Sequence, residues 1–192
     1  MGDLIICIID CGTAYLQQLK DTIKNTKCRF RILKLKKVPE TDFSGFSGII
    51  ISGAPTLLTR VNLKEYLMPF EFVKTTKTPI YGICLGHQII GLLHGAKISH
   101  GKLIHKEEKI HFFAKDKIFS GIENGARFHE EHSESISLPR GFFHLAGSKT
   151  CKNEAMKHKK KKIYSTQFHP EASGLAGKKI LENFLKIAGG RI

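Results

Sequence analysis

Hydrophobic residues fall into short solid runs separated by amphipathic stretches. Residues 4–10 are almost unbroken apolar positions, the pattern of a strand buried on both faces. In residues 14–25, Tyr15, Leu16, Leu19 and Ile23 recur at helical spacing. Residues 29–35 alternate apolar and charged side chains as a half-covered strand does, and 48–52 form a second solid run. The pattern then predicts a helix over 63–75, a strand over 79–83 and a helix over 88–94. Such alternation predicts an α/β fold, its central sheet mostly parallel with helices on both faces. After Gly95 the pieces shorten and become β-like (97–98, 109–113 and 142–147), which predicts a small antiparallel extension. Strands around 154–156 and 163–167 flank a lysine run, and a last helix lies around 178–187. No repeat or low-complexity linker interrupts the 192 residues, so one domain over 1–192 is expected.

Charge changes the picture only modestly. Lysine and arginine number 31 against 17 acidic residues, a net charge of +14. Part of the excess is Lys157-His158-Lys159-Lys160-Lys161-Lys162. No aromatic residues interleave with these lysines for base stacking, so specific nucleic-acid binding is not expected. A solvated hairpin turn and docking onto an acidic partner fit better. Five cysteines, an odd number without paired spacing, argue against a disulfide framework and for the reducing cytoplasm. No Cys/His group has zinc-site spacing, so no metal is expected. No apolar run approaches ~18 residues, which excludes a membrane-spanning helix.

Chemistry concentrates in two segments. Gly82-Ile83-Cys84-Leu85-Gly86-His87-Gln88 follows a predicted strand and opens a predicted helix, the cysteine form of the nucleophile elbow. There the thiol sits at a helix N-terminus, where the dipole and free N–H groups favour a thiolate. Near the other end stands Gln167-Phe168-His169-Pro170-Glu171. Proline forces His169 into an extended conformation, and residues two apart in an extended segment face the same side. Glu171 then orients the His169 ring, which serves Cys84 as general base and acid.

These two motifs resemble those of the class I (triad) glutamine amidotransferases, and the resemblance runs along nearly the whole chain. It implies a flavodoxin-like fold and hydrolysis of glutamine to glutamate and ammonia through a thioester on Cys84, with His169 and Glu171 completing the triad. It implies an oxyanion hole from the backbone N–H groups of Leu85 and Ala54. Ala54 stands in Ser52-Gly53-Ala54-Pro55 where the family usually carries glycine, and a positive φ there would be strained. Loss of one such donor costs about 3–4 kcal/mol of transition-state stabilisation, so weak basal activity is an expectation. Gly53, Gln88, His132 and Ser133 match the glutamine-binding positions. The turn at 51–55, the run from Asn153 to Glu171 and the ending from Gly177 are most similar to stand-alone glutaminase subunits of archaeal-type GMP synthases. That likeness implies an ATP-pyrophosphatase partner that aminates xanthosine monophosphate in a heterodimer. No cofactor is expected in this chain, Mg-ATP belonging to the partner. Two features depart from that type: Glu131-His132-Ser133-Glu134 and Asp10-Cys11-Gly12. The His-Ser pair is closer to the anthranilate and aminodeoxychorismate synthase glutaminases. A non-catalytic regulatory or binding module of the same fold and a stand-alone thiol hydrolase acting on a glutamyl or peptide substrate are the readings of other classes.

Overall fold

The computed structural model describes residues 4–26 and 28–189. Its elements in chain order are β1 (Ile5–Asp10), α1 (Leu16–Lys24), β2 (Arg29–Lys34), β3 (Gly48–Ile51), α2 (Leu63–Leu67), β4 (Ile80–Ile83) and α3 (Leu85–Leu93). They continue as β5 (Ile98–Lys109), β6 (His111–Phe112), β7 (Arg127–Ile136), β8 (Phe142–Gly147), β9 (Ala155–His158), β10 (Ile163–Thr166) and α4 (Gly174–Ile187). Eight strands form one sheet in the order β2-β1-β3-β4-β10-β9-β8-β6. The first five pair in parallel, and β9, β8 and β6 extend the sheet antiparallel. The expected architecture is therefore present.

The solid apolar runs divide between two cores because side chains alternate across a strand. Ile6, Ile8 and Ile50 face α1 and α4, burying Leu19, Ile23, Ile180 and Phe184. Cys7, Ile9, Ile49 and Ile51 face the opposite side, against Ile89, Ile90 and the residues Phe70 and Val73. Among the described residues no helix is long and apolar enough to cross a membrane. All five cysteines are free.

Three expectations change. The helix over 63–75 is two pieces: α2 ends at Leu67, and a 3-10 stretch, Met68–Lys74, follows with Pro69 in its first turn. Proline lacks the N–H that a continuous α-helix would use there. Of the short β pieces after Gly95, 142–147 is β8 as expected and 109–113 contains β6. Residues 98 and 109, however, are the two ends of one strand: β5 runs twelve residues and pairs with ten-residue β7 as a separate antiparallel ribbon. Many of its residues are polar on both faces, so apolar periodicity gave no sign of it. The lysine hairpin is where it was expected, between β9 and β10, but Lys157 belongs to β9 rather than the solvated turn. Its Nζ lies 2.7 Å from Asp116 Oδ2 and 5.2 Å from the Tyr164 ring centroid. His158 Nδ1 accepts the N–H groups of Lys160 and Lys161, which closes the turn.

Candidate active site

Four segments converge at the carboxyl ends of the parallel strands, where α/β folds place their ligands. Cys84 follows β4 directly and caps α3, with φ 49° and ψ −101°. It is the only non-glycine residue with positive φ among the described residues. Its N–H donates to the Thr166 carbonyl at 2.8 Å, which ties the elbow to β10. Both flanking glycines are required by close approach. A β-carbon on Gly82 would lie 2.7 Å from the Gly86 carbonyl, and one on Gly86 only 2.3 Å from the Ile51 carbonyl oxygen.

His169 follows β10, and its N–H donates to the His129 carbonyl of β7 at 2.9 Å. Its Nδ1 lies 2.9 Å from Glu171 Oε1, and the Cys84 sulfur is near enough to act on the ring electrostatically. Burial disfavours the imidazolium, but the Cys84 sulfur and the Glu171 carboxylate together hold the pKa well above that of an ordinary histidine. A proton received from the thiol thus has a stable place to reside. Gly53 makes this packing feasible, since a β-carbon there would come within 2.9 Å of His169 Cε1.

Above Cys84 opens a cavity of about 390 Å³ lined by Tyr15, Ala54, Gln88, His132, Ser133 and His169, among others. Ala54 does not adopt the positive φ expected of a glycine replacement, so its N–H is available without that strain. Leu85 is the first residue of α3, and a first-turn N–H has no intrahelical acceptor. The Leu85 side chain is core, which leaves only its backbone free to serve the site. Gln88 Nε2 donates to the Glu134 carbonyl at 2.9 Å and to Gln167 Oε1 at 3.2 Å. His87, its neighbour, is fully buried against Ser165 Oγ, and burial pushes its pKa down to about 3. A neutral histidine there is structural.

The sequence pattern of the family "Glutamine amidotransferase class-I" matches residues 7–188. The chain belongs to the class-I glutamine amidotransferases. Within that family it is 36% identical over 190 residues to the glutamine-hydrolyzing GMP synthase subunit of Pyrococcus abyssi, covering 96% of this chain and 99% of the relative. The Methanosarcina barkeri protein of the same name is 39% identical over 143 residues, 73% of this chain and 72% of the relative. A crystal structure described as a putative GMP synthase subunit from Thermoplasma acidophilum superposes with TM-score 0.89 at 26% identity, covering 98% and 96% of the two chains. A glutamine amidotransferase structure from Thermotoga maritima, 19% identical with TM-score 0.74 over 97% and 84% of the chains, shares the fold.

This class-I amidotransferase carries site residues that motif reading passes over. Gln167 Nε2 donates to Cys84 Sγ at 3.5 Å. It stands two residues before His169, yet nothing in its identity announces a sulfur contact. Tyr15 reads in the sequence only as part of an apolar helix face; its ring packs 5.0 Å from that of His169. Behind His132 lies a buried acid cluster. His132 Nδ1 lies 3.0 Å from the Glu134 carbonyl, which only accepts, so Nδ1 carries the hydrogen. Burial keeps His132 neutral, and its Nε2 faces Glu130 Oε2 at 3.2 Å. Glu130, fully buried, is pushed up to about 7 chiefly by that burial. Glu154 is raised well above its ordinary value by burial and by Glu130 beside it, and accepts the Ser148 hydroxyl at 2.6 Å. Glu134, where the GMP synthase type usually has aspartate, accepts from Leu58 N–H and Thr59 N–H at 2.7 and 2.9 Å. It fastens β7 to the chain just beyond the Ala54 turn.

Proposed function

We propose that this chain is the glutamine-hydrolysing subunit of a GMP synthase. Cys84 attacks the glutamine side-chain carbonyl while His169 removes the thiol proton. The Leu85 and Ala54 N–H groups receive the oxyanion. His169 then gives its proton to the leaving nitrogen, and ammonia departs from a glutamyl thioester. Water, deprotonated by His169, attacks the thioester and releases glutamate and the free thiol. Glu171 holds the imidazole and stabilises its charged form. Gln88, His132 and Ser133 line the pocket that holds glutamine, and Gly53 lies against Cys84 and His169 at its edge. The cycle needs nucleophile, base and water alone, so the chain requires no cofactor of its own.

The observation that carries this reading is the strained elbow. It places Cys84 on the floor of a cavity beside a buried His169–Glu171 pair. The partner assignment is supported by the names of the relatives, of which the Pyrococcus abyssi protein matches this chain nearly end to end. Ammonia then passes to an ATP-pyrophosphatase subunit that uses Mg-ATP and aminates xanthosine monophosphate in the cytoplasm. The glutaminases of anthranilate or aminodeoxychorismate synthase are the second reading, favoured only by His132-Ser133.

The test is ammonia release from glutamine by the purified chain, with and without a GMP synthase ATP-pyrophosphatase subunit, Mg-ATP and xanthosine monophosphate. Stimulation with GMP formation is expected. Cys84→Ala should lower glutamine-dependent GMP formation at least about a thousandfold while amination from added ammonia continues. Glutamine use surviving in that variant would sink the covalent mechanism. Hydrolysis without stimulation would move the partner to a chorismate-using synthase.

A further inference from the structure

Beside the triad, three potential ligand side chains share one face of the β5–β7 ribbon. His105 stands directly opposite Glu131 across the two strands, and His129 lies two residues before Glu131 on β7. Residues two apart on a strand face the same side, and directly opposed residues hold their β-carbons about 4.5–5.5 Å apart. One donor atom from each of His105, His129 and Glu131 lies within 4.8 Å of the other two. No other group of three His, Cys, Asp or Glu side chains among the described residues is so disposed.

The register of a paired ribbon makes this placement a backbone property rather than an accident of rotamers. Two of the three side chains are also held. The Tyr15 hydroxyl donates to Glu131 Oε2 at 2.5 Å and meets His129 Nε2 at 2.8 Å. His129 is partly buried beside the Tyr15 ring, which packs edge-on against it at 5.5 Å.

We propose that His105, His129 and Glu131 form a binding site for a borderline divalent transition-metal cation, Zn²⁺ foremost, through which the cation inhibits glutamine hydrolysis. Two imidazoles and one carboxylate are a ligand set that suits Zn²⁺, with water completing a tetrahedron. The route to the triad is short. The His129 carbonyl accepts the His169 N–H at 2.9 Å, and Tyr15, which the cation would compete with for Glu131 and His129, packs on the His169 ring. Tyr15 and Glu131 both line the glutamine cavity. The ligands come from two strands, so no spacing within one segment could have revealed the site. Binding does not depend on the glutaminase reading; the inhibitory clause rests on it.

The experiment is calorimetric titration of the chelator-stripped full chain with Zn²⁺, using wild type, Cys84→Ser and His105→Ala. His105 is exposed and lies outside the cavity, so His105→Ala in chelator should hydrolyse glutamine at the wild-type rate. One site is expected in wild type and in Cys84→Ser, with affinity about tenfold or more weaker in His105→Ala. Zn²⁺ inhibition of the glutaminase should weaken in parallel. Co²⁺ in place of Zn²⁺ should give the visible bands of a nitrogen- and oxygen-ligated ion without a sulfur charge-transfer band. Equal binding by His105→Ala, or loss of binding in Cys84→Ser alone, would overturn the site, the second by placing the ion on the thiol. Binding without inhibition would overturn the inhibitory clause. Absence of any glutaminase activity in chelator would instead strike the functional reading, leaving the calorimetry to decide the site.

Discussion

Cys84 illustrates strain held by its surroundings. A non-glycine residue at φ 49° is disfavoured, and such residues persist where neighbouring contacts over-determine them. Here those contacts are the bond to Thr166 and two glycines that let β3, β4 and α3 close on one another. The sulfur then receives the Gln167 amide at 3.5 Å. A typical hydrogen bond contributes about 0.5–1.5 kcal/mol, so Gln167→Leu should slow iodoacetamide labelling of Cys84 by about two- to tenfold. The readout is the labelling rate at one fixed pH; an unchanged rate would reduce Gln167 to packing. Glu171→Ala should lower the glutaminase rate, but about one to two orders of magnitude less than loss of Cys84, because an orienting carboxylate is partly dispensable. Steady-state kinetics on both variants decides it, and a full-rate Glu171→Ala would make the carboxylate structural.

At the scale of elements, β7 does more for the site than any helix. Its backbone holds His169, its Glu134 fastens the segment after the Ala54 turn, and its Glu130 supports His132. That support carries a pH signature. Burial raises Glu130 in the folded chain to about 7 from an ordinary 4.5, so the folded state binds the extra proton. The stability this gives is complete below the unfolded value and is lost as pH rises through about 7. Glu130→Gln removes the titration while keeping the shape. Wild type should therefore lose stability relative to Glu130→Gln between about pH 5 and about pH 8, by on the order of 3 kcal/mol at most. Paired thermal melts across that range measure it; parallel curves would mean that Glu130 titrates as an ordinary carboxylate.

The molecule as a whole is strongly basic, at +14. Charge of this size affects encounter and partner choice rather than the fold. Exposed charges are screened beyond roughly 10 Å at 0.1 M salt. Association with the synthase subunit should then weaken on the order of tenfold between about 0.05 and about 0.5 M NaCl, as rim electrostatics are lost. Calorimetry at the two concentrations tests this, and a salt-independent affinity would exclude an acidic docking face.

Much of this protein was legible in one dimension. The apolar runs dictated the alternating strands and helices, because burial on both faces of a parallel sheet leaves little latitude in residue choice. Cys84, His169 and Glu171 stood out because each motif is local: glycines beside the nucleophile, and a proline between base and carboxylate. The remainder depends on contacts between residues far apart in the chain. Gln167 and Cys84 are 83 positions apart, and Glu134 reaches Leu58 across 76. The β5–β7 ribbon is mostly polar, and its register arises from strand pairing rather than from an apolar repeat. Ala54 could not be judged from its missing glycine, because φ is set by the turn it occupies and by the β-strand leading into it. Composition and local order named the chemistry; the folded chain alone decided which polar groups surround it, since hydrogen bonds and burial are properties of neighbours in space.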